Sequence, residues 1–326
     1  MTAQIIDGKP MAEAIEREVA AQAAELAAAG RRPRLVAVQV GDDPASRIYT
    51  GMQRRRCEKV GIDYELLVLP PETSQGELRA GIAALNADPA VTAVILQMPL
   101  PPHIESRAVQ MCLSPDKDAE SMHPANLGRL VFGEYAVAPC TPGAAVALLK
   151  QACPDLAGKE VVVVGHSEIV GKPIAAMLLA SRDAAPTVTV CHVATRDLAF
   201  HTRRAEVLIV ATGAAQARWQ AYCRARAAGG NPPRPNLNPL ISADMLREGA
   251  VVIDVAINRI PAALDDRGDP VIGEDGKPLM LTVGDVDFDA AMEKVAAITP
   301  VPGGVGVVTV AMLLKNTLAC AKLHGK

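Results

Sequence analysis

Apolar and polar positions alternate along the chain with two different periods, and together they predict a series of strands and helices. Gln4 to Ile6 reads as a short opening strand. Pro10 to about Ala29 follows as an Ala- and Glu-rich amphipathic helix, stopped by Gly30. Short β-branched runs then predict strands at Leu35 to Val40, Tyr64 to Leu69 and Val91 to Gln97, with helices between them at Pro44 to Val60 and Ser74 to Asn86. Strands alternating with helices of this length imply an α/β fold with a parallel sheet covered on both faces. Pro99, Pro101 and Pro102 end the third strand. A helix near Ile104 to Cys112 leads into a long irregular stretch, Ser114 to Ala138, of the kind that usually carries function. Pro139 to Gly143 then opens a helix to about Gln151, read as the bridge between two domains.

The second half is organised around Glu160 to Pro173, EVVVVGHSEIVGKP. Val161 to Val164 read as a strand buried on both faces, Gly165 and Gly171 bracket a turn, and Lys172-Pro173 opens an apolar helix through Leu179. Strand, glycine loop and helix N-terminus form the arrangement that cradles a pyrophosphate. The strict G-x-G-x-x-G spacing is absent, because Ser167 replaces its middle glycine and the last glycine falls one place late. A nucleotide site and a purely structural βα turn both fit this pattern, with the flanking elements favouring the nucleotide. No Asp or Glu ends the next strand, Thr187 to Cys191, to take a ribose hydroxyl. Further strands are expected at Val207 to Ala211, closed by Thr212-Gly213, and at Val251 to Val255. Between them lies a short basic helix with a Gly/Pro/Asn-rich loop. Asp265 to Pro278 reads as a surface hairpin, and Ile298 to Gly306 as a Pro/Gly loop before an apolar helix, Val308 to Ala321.

Composition narrows the field. The 326 residues suffice for two domains with sizeable cores, and half are hydrophobic. A net charge of -3 and a single short basic cluster, Arg54 to Arg56, argue against nucleic acid or a membrane surface as partner. The start of the chain lacks a secretory signal and no uncharged apolar stretch reaches the ~18 residues of a membrane span, so a cytoplasmic location is expected. Seven scattered cysteines show no metal-ligand spacing and read as reduced thiols; Cys140, in a loop, is the one that could be a nucleophile, although packing is its simpler role.

Ser46, Tyr49 and Gln53 share one face near the start of the second helix, close to the carboxyl ends of the strands, where open α/β sheets bind ligands. Gln97 ends a strand at the same edge, and Lys117, Asp118 and Glu120 follow it, giving one polar constellation. The segments VGDDPASRIYTGM, ILQMPLP, SPDKDAESMHPANLGRL, PCTP, VVVVGHSEIVGKP, IVATG, VVIDVAINR, VGDVDF and ITPVPGGVG, in this order, make the chain resemble the bifunctional methylenetetrahydrofolate dehydrogenase/methenyltetrahydrofolate cyclohydrolases over essentially its whole length. The resemblance implies two domains, an α/β catalytic domain (1–146 with 298–326) and a Rossmann-like NAD(P)-binding domain (147–297), with the folate cleft between them, and usually a homodimer.

It also implies residue roles. Tyr49 would stack on or hydrogen-bond the folate and Gln97 would bond near the reacting carbon, with Ser46, Pro99, Glu120 and the stretch Pro300, Pro302, Gly303 and Gly304 lining the site. Gly165, His166, Ser167, Ile169, Val170 and Gly171 would hold the phosphates of NADP or NAD. Thr141, Val193, Arg196, Thr212, Gly213, Ala256 and Ile257 would complete the cofactor site. Three departures stand out. The family lysine four residues after the tyrosine is Gln53, which cannot titrate and so puts the cyclohydrolase step in doubt; Arg56 shares that face but is no base near neutrality. The aspartate-glycine of the pterin site is Glu120-Ser121. The arginine and the serine or arginine commonly set against the 2′-phosphate are His166 and Val193, which weakens an NADP preference that a protonated His166, Arg196, Arg218, Arg224 or Arg226 could restore. A pterin- or nucleotide-binding regulator without turnover is the reading from outside enzymology.

Overall fold

The computed structural model describes residues 2–41, 44–180 and 184–323, and of residues 44–48 the backbone alone. In chain order it contains β1 (Gln4–Ile5), α1 (Lys9–Ala28), β2 (Arg34–Val40), α2 (Pro44–Lys59), β3 (Asp63–Leu69), α3 (Gln75–Ala87), β4 (Ala93–Leu96), α4 (Ser106–Gln110) and α5 (Pro124–Val131). Next come α6 (Cys140–Ala152), β5 (Glu160–Val164), α7 (Gly171–Leu179), β6 (Thr187–Cys191), α8 (Leu198–Thr202), β7 (Val207–Val210) and α9 (Ala214–Ala227). The chain ends with β8 (Val251–Asp254), β9 (Asn258–Pro261), β10 (Met280–Val283), α10 (Phe288–Met292), β11 (Ala297–Ile298) and α11 (Val305–Leu323).

The chain divides into two compact units. One, residues 10–144 with 307 onward, is built on a three-stranded parallel sheet in the order β3-β2-β4. Val36, Val38 and Val40 of β2 and Val94 and Leu96 of β4 share a face that packs on Leu78 and Ile82 of α3 and on Val109 of α4. Residues of β2 and β4 on the other face, Gln39 and Gln97 among them, therefore point away from that core, by the alternation of a strand. The α3 start is a full capping box between Ser74 and Glu77.

The other unit, residues up to Lys9 with Ala145–Gly306, holds a six-stranded parallel sheet in the order β1-β11-β8-β7-β5-β6. The valines of β5 are all but inaccessible, as befits a strand covered on both faces. The expected division at 146 and 298 shifts here: the opening strand and residues 298–306, expected with the catalytic part, group with the nucleotide-type sheet because β1 pairs with β11 and β11 with β8. The surface hairpin expected near 265–278 forms, with β9 and β10 as its antiparallel stem. The stretch expected to be irregular from Ser114 contains α5, started by Pro124 and capped by His123, whose Nδ1 accepts from Ala125 N. Among the described helices α11 is long and apolar enough to cross a membrane, and 61% of its most apolar window is buried within the structure, as in a core helix.

Candidate active site

In the sheet β3-β2-β4, the site residues collect where α2 lies over the carboxyl-end side chains. Gln53 is wholly buried on α2. Its Oε1 accepts from the Tyr64 hydroxyl on β3 at 3.0 Å and from Gln97 Nε2 at 3.1 Å, while its Nε2 has no hydrogen-bond partner among the described residues. Gln39, beside Gln97 in the register of β2 with β4, donates to Gly41 O at 2.8 Å and leaves its Oε1 without a partner. Buried amides are rarely left half-satisfied, so these two atoms, one near the end of β2 and one on α2, mark a place where a polar ligand fits. Tyr49, one turn before Gln53, is 37% exposed, and burial first, then the nearby Glu120, raise its phenol. Pro99 is exposed just beyond Gln97. The side chain of Ser46 lies outside the described residues.

Glu120 is half-buried, and burial together with the charge of Asp118 pushes its carboxyl up to about 7. Asp118 is fully buried; its carboxylate accepts from His123 N at 2.7 Å and Asn126 Nδ2 at 3.1 Å, which fastens the loop carrying Glu120. Ser121 replaces the family glycine and keeps a left-handed backbone at φ 57°, at a cost of about 1 kcal/mol, while its hydroxyl donates to Val137 O at 3.0 Å.

Two sequence expectations are corrected. Lys117 does not join the constellation: its buried ammonium donates to Leu85 O at 2.9 Å and Asp88 O at 2.6 Å, closing the end of α3. Arg56 is paired with the buried Glu16, which Lys59 also reaches at 2.8 Å, so it is not turned to the site. Cys140 is buried with its thiol pushed well up by burial, its Sγ near Ala119 O and Asn316; that is packing, not a nucleophile. Thr141 falls in the first turn of α6.

In the other unit the turn after β5 has little latitude. A Cβ on Gly165, at φ 119°, would lie 2.3 Å from Ala211 O, and one on Gly171 would lie 2.0 Å from Gly165 O. The loop folds back on itself around Ser167, whose Oγ accepts from Val170 N at 3.2 Å and whose carbonyl accepts from Lys172 N at 3.1 Å. Ile169 is exposed on its crest. Beside it opens a pocket of about 490 Å³ lined by Gly165, His166, Ser167, His192, Val193, Thr212 and neighbours. A closely folded glycine turn at the carboxyl edge of a parallel sheet, with a helix N-terminus behind it, fits a dinucleotide's phosphates.

Asp285, whose motif the sequence offered without a role, organises the far wall. Its carboxylate accepts from the backbone of Thr212, Gly213 and Ala214 and from Asn258 Nδ2 at distances of 2.9 to 3.1 Å, fixing the Thr212-Gly213 turn. The VGDVDF motif that carries it was the available signal. Asp254, also buried, accepts from Ala256 N and Val286 N and holds the start of the segment that carries the exposed Ile257. Gly304 is packed against Pro300 O, where its Cβ would come to 2.7 Å, and Gly303 O accepts from Gly8 N; Pro302 is exposed on this turn. Val193 is 98% exposed and Arg196 is exposed. Arg218 donates to Asn238 O at 2.7 Å and Arg226 is paired with Asp269, so neither is turned to the pocket.

Comparison with known proteins agrees with this geometry. The family model described as tetrahydrofolate dehydrogenase/cyclohydrolase, catalytic domain, matches residues 6–120, and that of the NAD(P)-binding domain matches 139–225 and 236–325. The chain is 46% identical over 323 residues to bifunctional protein FolD 2 of Geobacter sulfurreducens, covering 99% of this chain and 98% of that one. It is 45% identical to the bifunctional FolD protein of Moorella thermoacetica over 99% and 100% of the two chains. The crystal structure of the Campylobacter jejuni enzyme FolD superposes with a TM-score of 0.82 at 37% identity, covering 98% of this chain and 99% of that one. The Trypanosoma brucei FolD structure complexed with NADP cofactor and inhibitor superposes at 0.83 and 34%, covering 100% and 99%. With both family models matched along nearly the whole chain, the protein belongs to the tetrahydrofolate dehydrogenase/cyclohydrolase family.

Proposed function

We propose that this chain oxidises 5,10-methylenetetrahydrofolate to 5,10-methenyltetrahydrofolate with NADP, in one-carbon metabolism, and that hydrolysis of the methenyl product is slow. The observation that carries this reading is Gln53, wholly buried and bonded through Oε1 to Tyr64 and Gln97, where the family has a lysine. NADP, when bound on the Gly165–Gly171 turn, supplies the hydride acceptor. Loss of hydride from the methylene carbon leaves a positive amidinium across the folate nitrogens, and the neutral amides of Gln53 and Gln97 do not oppose that charge as an ammonium would. Gln97 and Tyr49 position the folate, and the ionised Glu120 accepts from the pterin amine. Most of the rate enhancement then comes from holding the reacting carbon in place.

Hydrolysis is a different demand. Water must lose a proton as it attacks the methenyl carbon, and the amine that leaves must gain one. An amide can do neither, which removes on the order of 10²- to 10⁴-fold from such a step. Homodimer formation belongs to the proposal on the family resemblance, and sedimentation would check it. The proposal is tested by following NADP reduction with methylenetetrahydrofolate and, separately, decay of methenyltetrahydrofolate. Reduction without accelerated decay is expected. Ligand binding without any reduction would instead mark a binding protein, and decay well above buffer would mark a full bifunctional enzyme.

A further inference from the structure

Tyr49 and Gln53 stand one turn apart on α2, at i and i+4, so their side chains are neighbours on one face. The Gln53 amide is held at its oxygen end. Tyr64 on β3 donates its hydroxyl to Oε1 at 3.0 Å, and Gln97, just beyond β4, donates Nε2 to the same oxygen at 3.1 Å. An amide oxygen has two lone pairs, and these two donors use both. The planar amide must then turn its N–H bonds the other way, where the wholly buried Nε2 has no hydrogen-bond partner among the described residues. That end bears on Tyr49. Burial and then Glu120 push the Tyr49 phenol up, whereas the Gln53 amide draws it down, as a donor does to a phenol oxygen and an acceptor does not. Tyr64, for its part, suits the role of donor. Burial keeps its phenol protonated, and the Arg54 guanidinium, 5.8 Å from its ring centroid, strengthens the O–H as a donor. Tyr64 is none of the residues to which the family resemblance gives a role.

We propose that Tyr64 is a positioning residue for the dehydrogenase step: by holding the Gln53 oxygen it turns the Gln53 N–H to the Tyr49 oxygen, which commits the Tyr49 hydroxyl to donate to the folate. The inference rests on the folate reading of this site. A hydroxyl can donate and accept, so an unguided Tyr49 offers the substrate either a proton or a lone pair. With its oxygen taken by an N–H it offers the proton, and it selects a folate that turns an acceptor atom towards it. Tyr49 is 37% exposed, so a ligand can reach it. Tyr64 acts through Gln53. Without the Tyr64 hydroxyl, the amides of Gln53 and Gln97 can turn over together, and Gln53 Oε1 then accepts from Tyr49. That reverses the Tyr49 hydrogen bond and takes its proton away from the folate.

The amide's orientation is read by nuclear magnetic resonance on the whole protein carrying isotope-labelled glutamine and tyrosine. Signals are assigned by their loss in Gln53→Glu, Tyr49→Phe and Tyr64→Phe. The side-chain N–H protons of Gln53 are expected to cross-relax with the Tyr49 ring and not with that of Tyr64. Kinetics read the consequence. Tyr64→Phe should lower kcat for NADP reduction by roughly tenfold, the worth of one hydrogen bond, while the KM for NADP and the melting temperature change little. In a Gln53→Met background the same change should cost nothing further, since the group through which Tyr64 acts is gone. A merely structural role would lower the melting temperature and add its cost in both backgrounds. Cross-relaxation of Gln53 with Tyr64 in place of Tyr49, or an undiminished effect of Tyr64→Phe in the Gln53→Met background, overturns the inference. Should Gln53→Met fail to fold, the resonance measurement decides by itself. Absence of NADP reduction by the wild type, whatever the amide's orientation, instead removes the dehydrogenase reading on which the inference rests.

Discussion

At the scale of single residues, the chemistry turns on which groups can carry a proton. Gln53 sits where a lysine's ammonium would be buried, and Tyr64 and Gln97 both donate to its carbonyl oxygen. Gln53→Lys should therefore raise methenyltetrahydrofolate hydrolysis by roughly 10²-fold or more. It should also slow hydride transfer, by setting a positive charge near the developing cation, and lower the melting temperature, because an ammonium there loses its hydration. Separate assays of the two steps and a thermal melt check all three. A lysine variant that folds and hydrolyses no faster would show that another group limits the second step. The arginine at position 56 does not substitute for the lysine, since Glu16 holds it elsewhere.

At the scale of elements, the strand–turn–helix at β5–α7 leaves no room for a side chain. Gly171→Ala puts a Cβ into Gly165 O, so the turn must open; NADP affinity should fall at least about tenfold while folate binding is retained, read by titration of each ligand. The loop bearing Glu120 depends on its neighbours in another way. Lys117 joins that loop to the end of α3 through two carbonyls, and burial lowers the pKa of its ammonium. Lys117→Met fills the same volume but leaves both carbonyls without that donor, and should cost about 2 kcal/mol in urea unfolding. The inserted α9 with its following loop, part of which (226–235) lies outside the family match, is tied to the β9–β10 excursion. Trp219 stacks on Tyr222 at 5.6 Å, the Arg226 guanidinium lies 5.7 Å from the Tyr222 ring centroid, and Arg226 pairs with Asp269.

For the whole molecule, the carboxyls of the half-buried Glu120 and the buried Asp254 set the pH dependence of stability. Glu120 and Asp254 are both raised to about 7, chiefly by burial, from the ordinary carboxylate range. The folded state therefore holds these protons more tightly than the unfolded chain does. That contribution is complete at acid pH, below the unfolded values, and is lost as pH rises through about 7. Stability to urea should fall between about pH 5 and pH 8, and Glu120→Gln should remove on the order of 2 kcal/mol of that fall. A variant whose stability keeps the wild-type slope would place the titration elsewhere. Bound folate should reverse the trend near Glu120, since it favours the ionised carboxylate, and NADP should raise the melting temperature by mass action.

The sequence by itself determined the alternation of strands and helices, the glycine turn at Gly165 and Gly171, and the family, because hydrophobic period and short motifs are local properties of the chain. It also singled out Tyr49, Gln53, Gln97 and Glu120 as candidates, since their spacing places them at one end of a sheet. Tertiary structure alone decided what those residues do to each other. That Lys117 turns to α3 and Arg56 to Glu16, that Tyr64 bonds Gln53, and that Asp285 gathers three backbone N–H groups around Thr212-Gly213 all depend on contacts between segments far apart in the chain. The edges of the two units were hidden for the same reason. Two-residue strands such as β1 and β11 carry almost no pattern of their own, and only pairing with β8 assigns them. His166 and His192 are 26 residues apart, and their meeting is a consequence of β5 lying beside β6. Side-chain electrostatics follow from such meetings, which is why the charge state of Glu120 was beyond the reach of any motif.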